Sequence, residues 1–351
     1  MRKSKVTVVI WGFGAMGSGM AKMILAKQGF DIVGICDNYE NYVNHSMFQI
    51  LNIPNPYDHD VIITKDIDML LDQTKPDIVL LATDSFTQSA YPKIKQIIEK
   101  GINVISTAEE MAYPLANEPE LAASMDALAK KHGATILGTG VNPGMMMDLL
   151  AICMSGVMNH VKHMEISRIN SLSPFGKTVM EEQGVGLSQE AFQQKCDAGE
   201  MAGHVGFKES VYMIANAIGV EVSSFKQWMK PIITTFDRKS PHGFAKKGHV
   251  CGVEMSAEAT LSNGQTIKMY HPQQIEPEMA GIKTGDYIKI DGQPAINLAN
   301  VPEVEGGLGT ISICVNMIPH VINASPGLKT MIDLPVPRAI MGDVRTFIQE
   351  E

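Results

Sequence analysis

Val6-Thr7-Val8-Val9-Ile10-Trp11-Gly12-Phe13-Gly14-Ala15-Met16-Gly17 is the stretch that decides the fold. Its first half is short, apolar and β-branched, which predicts a buried strand. Its second half has the spacing G-x-G-x-x-G and runs into Met20, Met23, Ile24 and Leu25, placed as on a helix. Gly12 suits a tight turn, Gly14 close approach of a pyrophosphate, and Gly17 packing of helix on strand. Phe13, Ala15 and Met16 complete the turn, whose exposed amides at the helix start would hold negative charge. Glycines serve ordinary turns as well, so the context matters. A second strand over residues 31–36 ends at Asp37, 20 residues beyond Gly17. An acid there accepts hydrogen bonds from an adenosine ribose and repels a 2'-phosphate. The pattern predicts a dinucleotide site, NAD or NADP, with NAD favoured.

The pattern then repeats. Residues 77–82, 102–106 and 135–138 read as further strands. Helices over 87–100 and 119–132 lie between them, each stopped by a glycine, Gly101 and Gly133. Strands alternating with helices of this length predict an α/β fold, a Rossmann-type doubly wound parallel sheet. Ligands of such sheets bind beyond the carboxyl ends of the strands. Thr83-Asp84-Ser85, Thr107-Ala108-Glu109-Glu110 and Gly140-Val141-Asn142-Pro143-Gly144 fall there. Residues 38–60, rich in Asn and His, read as loop.

Beyond residue 145 the pattern changes to α+β. Strands are expected over 163–169, 251–261, 265–270 and 287–290, with Asn263-Gly264 as a hairpin signal. An apolar helical stretch over 145–158 leads in, and helices follow over 188–198 and 204–218. A long apolar helix over 308–323 would dock on the first domain or on a partner subunit. At about 150 residues per domain, 351 residues make two domains. The division reads as 1–145 for the dinucleotide, 146–307 for substrate and oligomerisation, and 308–351 as a segment packing back.

Composition sets bounds. With 45% hydrophobic and 19% charged residues the chain can bury a substantial core, which excludes disorder and a disulfide-stapled miniature. Lys plus Arg number 29 against 38 for Asp plus Glu, and the net charge of -9 argues against nucleic acid as partner. Five cysteines, without C-x-x-C spacing, suit a reducing compartment. The basic start, Arg2-Lys3-Ser4-Lys5, is followed by too short an apolar run for a signal peptide. No run reaches the roughly 18 apolar residues of a membrane helix. A soluble cytoplasmic protein is expected. His160 and His163 lack Cys or acid at ligand spacing, so no metal is expected. Neither G-x-S-x-G nor a complete P-loop motif supports an esterase or a nucleotide triphosphatase. The 24 methionines read mainly as adaptable core filler.

Glu109 and Glu110 fall where a nicotinamide ring would lie. Acids after a strand serve either as helix-start residues favoured by the dipole or as proton carriers for a substrate losing hydride. Partial burial would raise such a carboxyl toward the useful range. Arg168, Lys177, His204 and His271 are candidates for an anion pocket, though each singly also reads as a surface or packing residue. Gly203-His204-Val205-Gly206 is the more pointed segment, because its glycines allow close approach to a ligand.

Val9 to Met20, Val104-Ile105-Ser106-Thr107-Ala108-Glu109-Glu110-Met111-Ala112-Tyr113-Pro114 and Gly138-Thr139-Gly140-Val141-Asn142-Pro143-Gly144-Met145-Met146-Met147-Asp148 carry a resemblance when taken together. The chain resembles the 2,4-diaminopentanoate dehydrogenases and the related native amine dehydrogenases, and its nucleotide domain is similar to that of dihydrodipicolinate reductase. The resemblance runs through Gly203-His204-Val205-Gly206 to the C-terminal apolar helix. It implies NAD(P)-dependent oxidative deamination of a small diamino acid at its C4 amine, with a 4-oxo product and ammonia. It implies a homodimer or higher homo-oligomer. The family carboxylate falls in the Glu109-Glu110 pair, with Glu110 favoured. Asn142, Pro143 and Gly144 match the loop beside nicotinamide and substrate. Gly12, Gly14, Gly17, Asp37 and Thr83 would serve the cofactor, and Arg168, Lys177 or His204 the substrate carboxylate. Other readings are a dehydrogenase or imine reductase for another amine, and a non-catalytic NAD-binding redox sensor.

Overall fold

The computed structural model describes residues 2–201 and 203–349. They form two compact units, the first made of the chain up to Met145 together with the chain from Gly306 onward, the second of Met146–Glu305. In the first unit β1 (Val6–Trp11), β2 (Phe30–Cys36), β3 (Ile63–Thr64), β4 (Ile78–Leu81), β5 (Asn103–Ser106) and β6 (Thr135–Gly138) pair in parallel. Val6, Val8, Val9 and Ile10 are all 0% exposed. Helices cover both faces of such a strand, so its sequence shows no polar alternation.

Between the strands run α1 (Ala15–Leu25), α2 (Met47–Leu51), α3 (Ile67–Thr74), α4 (Thr87–Ile98) and α5 (Pro119–His132). α5 ends at Gly133 in the left-handed region, as a glycine C-cap should. The segment expected as loop contains α2, started by the Ser46 hydroxyl accepting from the Phe48 amide. Its five residues are too few to show a helical period.

The second unit contains α6 (Leu149–Ser155), β7 (His160–Ser171), α7 (Lys177–Glu182), α8 (Gln189–Asp197), α9 (Phe207–Ala217) and β8 (Val222–Ile233). A short ladder, β9 (Arg238–Lys239) with β10 (Phe244–Ala245), precedes β11 (Val250–Leu261), β12 (Thr266–Gln274), β13 (Gly285–Gln293) and β14 (Ile296–Asn300). Six strands form one mixed sheet in the order β14-β13-β7-β12-β11-β8. Met164, Ile166, Met255, Ile267, Met269 and Ile288 form a core with Phe192, Phe207, Val211 and Ile214 from the helices. Three methionines in that set show the filler use expected of them. Gly264, at φ +86°, makes the β11–β12 turn.

Three expectations change. α6 covers only part of 145–158, beginning where the Asp148 carboxylate accepts from the Leu149 amide. α9 begins at Phe207 and not at His204, because Gly203 and Gly206 have φ of +61° and +127°. β8 had no signal in the sequence. It is an edge strand carrying Lys226, Gln227, Lys230 and Pro231, residues that edges tolerate and that hide the strand pattern.

The chain returns to the first unit through α10 (Gly306–Ile322) and β15 (Gly327–Lys329). α10 packs on α1, and β15 adds a parallel edge to β6. The sheet order is β15-β6-β5-β4-β1-β2-β3. No helix of the described residues is long and apolar enough to cross a membrane.

Candidate active site

At the end of β1 the chain turns at Gly12, whose φ is +93°. A Cβ there would lie 2.5 Å from the Ala82 carbonyl oxygen and 2.8 Å from Thr83 Cγ2. The turn therefore rests directly on the end of β4, and Thr83 borders it. A Cβ on Gly17 would lie 1.8 Å from the Gly12 oxygen, so the helix packs as closely as a glycine permits. Gly14 differs. Among the described residues nothing lies within 4 Å of its virtual Cβ. That opening faces the start of α1, which has neither a side-chain cap nor an acid in its first turn. A cradle of bare amides with room before it fits a dinucleotide pyrophosphate.

Asp37 closes the cradle from the β2 side. Its carboxylate accepts from the Phe13 amide through one oxygen and from the Tyr39 amide, at 2.7 Å, through the other. Phe13 and Tyr39 each pack edge-on against Tyr42. Residues 38–44 contain no Lys or Arg, and Lys65 is ion-paired with Glu40. The end of β2 is thus anionic, which suits a ribose diol and disfavours a 2'-phosphate. Thr83 is held by Asp84 and by Lys93, whose Nζ lies 3.0 Å from Thr83 Oγ1 and 2.7 Å from an Asp84 oxygen. The anchoring role of Lys93 had no sequence signal, because a lysine mid-helix reads as surface.

Two further strand ends complete this edge of the sheet. After β6 the Asn142-Pro143 bond is cis and Gly144 has φ +124°. Asn142 is buried, and the Val141 amide donates to Thr310 Oγ1 of α10 at 3.2 Å. After β5 a 3-10 turn spans Glu109–Ala112. Glu110 accepts from the Thr87 amide at 2.8 Å, the first residue of α4, and from Asn117 Nδ2 at 3.4 Å. Its carboxylate closes the start of α4. Glu109 stands beside it, part-buried.

The second unit gathers a buried polar cluster on the core face of its sheet. Arg168 is 2% exposed, ion-paired with Asp286 and donating to the Val304 carbonyl. His271 Nδ1 donates to the Arg168 carbonyl at 2.6 Å. The His204 ring stands edge-on to that of His271, centroids 4.8 Å apart. Burial first, then the Arg168 charge, pushes the His204 imidazole down to about 4. Burial, His204 and Arg168 hold His271 well below its usual range. Both rings are neutral at pH 7. The structure thus changes the expectation that Arg168, Lys177 or His204 offers its charge to an anion. Arg168 is matched by Asp286, and His204 is uncharged. Lys177 is 82% exposed at the start of α7, where it reaches Glu181 at 3.4 Å.

Residues 145–350 match the family described as 2,4-diaminopentanoate dehydrogenase C-terminal domain. The chain is also 55% identical over 348 residues to the 2,4-diaminopentanoate dehydrogenase of Acetoanaerobium sticklandii, covering 99% of this chain and 98% of that protein. The chain belongs to the 2,4-diaminopentanoate dehydrogenase family. Residues 6–140, within the first unit, match the oxidoreductase family with an NAD-binding Rossmann fold. An amine dehydrogenase of Streptomyces virginiae is 21% identical, over 95% of this chain and 98% of that one. The solved amine dehydrogenase of Mycobacterium smegmatis superposes with a TM-score of 0.87 at 26% identity, covering 97% of this chain and 99% of that chain. The chain thus shares the fold of each of its two units with an amine dehydrogenase. Its first unit is a Rossmann domain for NAD or NADP.

Proposed function

We propose that this chain catalyses the NAD(P)-dependent oxidative deamination of 2,4-diaminopentanoate at C4, giving 2-amino-4-oxopentanoate and ammonia. The observation that carries the reading is a carboxylate pair at the end of β5, on the same sheet edge as the dinucleotide turn after β1. Family membership supports the substrate. The amide cradle of Gly12, Phe13, Gly14, Ala15, Met16 and Gly17 holds the pyrophosphate. Asp37 receives the ribose hydroxyls, and Thr83 with Asn142, Pro143 and Gly144 positions the nicotinamide end. A bound NAD or NADP would supply the acceptor for the hydride of C4.

The proton work falls to one glutamate. Glu110 is committed to α4, so Glu109 is the carboxylate we assign, reversing the order of preference from sequence. Glu109 takes a proton from the C4 ammonium, leaving an amine whose lone pair assists departure of hydride. Glu109 then passes that proton to solvent, the iminium takes up water, and the carboxylate, ionised again, deprotonates that water as it attacks C4 and hands the proton to the nitrogen of the adduct. The tetrahedral adduct collapses to the ketone, and nitrogen leaves as ammonia. We further propose that the enzyme works in the cytoplasm as a homodimer. Five free thiols suit a reducing compartment.

A spectrophotometric screen tests the reading. NADH or NADPH formation is followed with 2,4-diaminopentanoate, simple amines and diaminopimelate. The expected result is turnover of 2,4-diaminopentanoate above the others, with NAD preferred. Activity on diaminopimelate alone overturns the substrate. Cofactor binding without any amine-dependent reduction overturns the reaction.

A further inference from the structure

2,4-Diaminopentanoate carries, besides the C4 amine that reacts, an α-amino acid head: a carboxylate on C1 and an ammonium on C2. Three buried amide side chains of the second unit carry polar atoms with no hydrogen-bond partner among the described residues. They are Asn170 Oδ1, Gln183 Oε1 and Gln273 Nε2, in residues 4%, 6% and 7% exposed. Buried polar atoms are nearly always satisfied, so a local group of orphans calls for a ligand or water.

Two of the three share one end of the sheet, and the third is tied to the same face. Asn170 and Gln273 are register partners on β7 and β12. Gln183, just past α7, donates through its Nε2 to the Gly203 carbonyl at 3.0 Å. A Cβ on Gly203 would lie 2.8 Å from Met255 Sδ, and Met255 is the register partner of His271. The next residue, His204, stands against the His271 ring, two positions before Gln273 on β12. Gln183 is thus linked, through Gly203, to strand positions two residues from Gln273 and its partner Asn170.

The chemistry of the orphans is one donor and two acceptors. We propose that Asn170, Gln183 and Gln273 form a subsite for the α-amino acid head, Gln273 donating to its carboxylate while Asn170 and Gln183 accept from its ammonium. The proposal deepens the substrate reading above and rests on it for the C4 chemistry alone. Arg168 is already neutralised by Asp286, and His204 and His271 are uncharged. Among the described residues named in this cluster, no cation is therefore left over for a lone carboxylate. A zwitterionic head brings its own counter-charge and needs only neutral donors and acceptors. An analogue lacking the C2 ammonium would leave two buried acceptors unpaired, which is how a polar subsite rejects an incomplete substrate.

The test uses the NADH-bound enzyme and calorimetric titration with 2-aminopentanoate, which has the head but no C4 amine, against pentanoate. The amino acid is expected to bind at least roughly tenfold more tightly. Asn170→Leu and Gln183→Met, which keep side-chain volume and remove the acceptors, should each lower 2-aminopentanoate affinity roughly tenfold while leaving pentanoate unchanged. Their thermal midpoints should fall only slightly, since each variant gives up one amide donor bond, to the Ser171 or the Gly203 carbonyl, while removing an orphaned buried acceptor. In turnover, the preference for 2,4-diaminopentanoate over 4-aminopentanoate should narrow in both variants. Equal binding of the two probes by the wild type overturns the proposal without any variant. So does a loss of affinity for both probes alike, which would mark an ordered-water or packing site. A wild type that binds 2-aminopentanoate selectively yet does not oxidise 2,4-diaminopentanoate sinks the reaction reading and leaves the subsite standing.

Discussion

Glu109 and Glu110 are adjacent, chemically identical and both part-buried, yet their surroundings differ. They lie in a 3-10 turn, where successive side chains point about 120° apart. One of them turns to the amide of Thr87 and anchors α4. A Glu110→Gln variant keeps an acceptor for that amide and should lose no more than about 1 kcal/mol of stability, with turnover reduced less than tenfold. Glu109→Gln should cut kcat by at least about 100-fold, the usual scale of a lost proton carrier, with NAD binding intact. Steady-state kinetics beside a fluorescence titration of NADH separates the two. The opposite ranking would return the role to Glu110. Sequence could name the pair, because strand end and residue type are local. It could not choose within it, because the choice depends on where a helix 23 residues earlier begins.

At the scale of elements, Arg168 and Asp286 face each other in register across the antiparallel pair β7–β13. Arg168 read in sequence as a candidate receptor for substrate, and only the pairing of two strands more than 100 residues apart reveals its counter-ion. Arg168→Met should destabilise by about 3–5 kcal/mol, since Asp286 would remain buried and uncompensated. Adding Asp286→Leu should recover most of that loss. Urea unfolding of the two variants checks both. A single variant as stable as the wild type would show that the pair carries little. The same dependence on partners explains β8 and β15. An edge strand with lysines and a proline, and a three-residue strand at the far end of the chain, become strands only because a neighbour supplies their hydrogen bonds.

For the molecule as a whole, the neutral imidazoles make stability depend on pH. His204 titrates at about 4 in the fold, against about 6.5 in an unfolded chain. Between these values the unfolded state binds more protons, so stability falls as pH drops from about 6.5 to about 4. The shift corresponds to a loss on the order of 3 kcal/mol across that window, with His271 acting in the same direction. Urea midpoints should therefore be lower at pH 5 than at pH 7.5, and His204→Gln should flatten the difference. An unchanged slope in that variant would place the acid sensitivity elsewhere. The sequence by itself determined the parallel sheet, the glycine turn, Asp37 and the carboxylate pair. Each rests on local periodicity, on backbone freedom at a glycine or on the chemistry of a strand end. Tertiary structure alone decided which glutamate anchors a helix, that Arg168 has its charge matched and that His204 is neutral. It also decided that Asn170 and Gln273 stand in register on neighbouring strands and that Gln183 bonds the Gly203 carbonyl. Charge state and hydrogen-bond satisfaction are properties of neighbours, and the neighbours here come from distant parts of the chain.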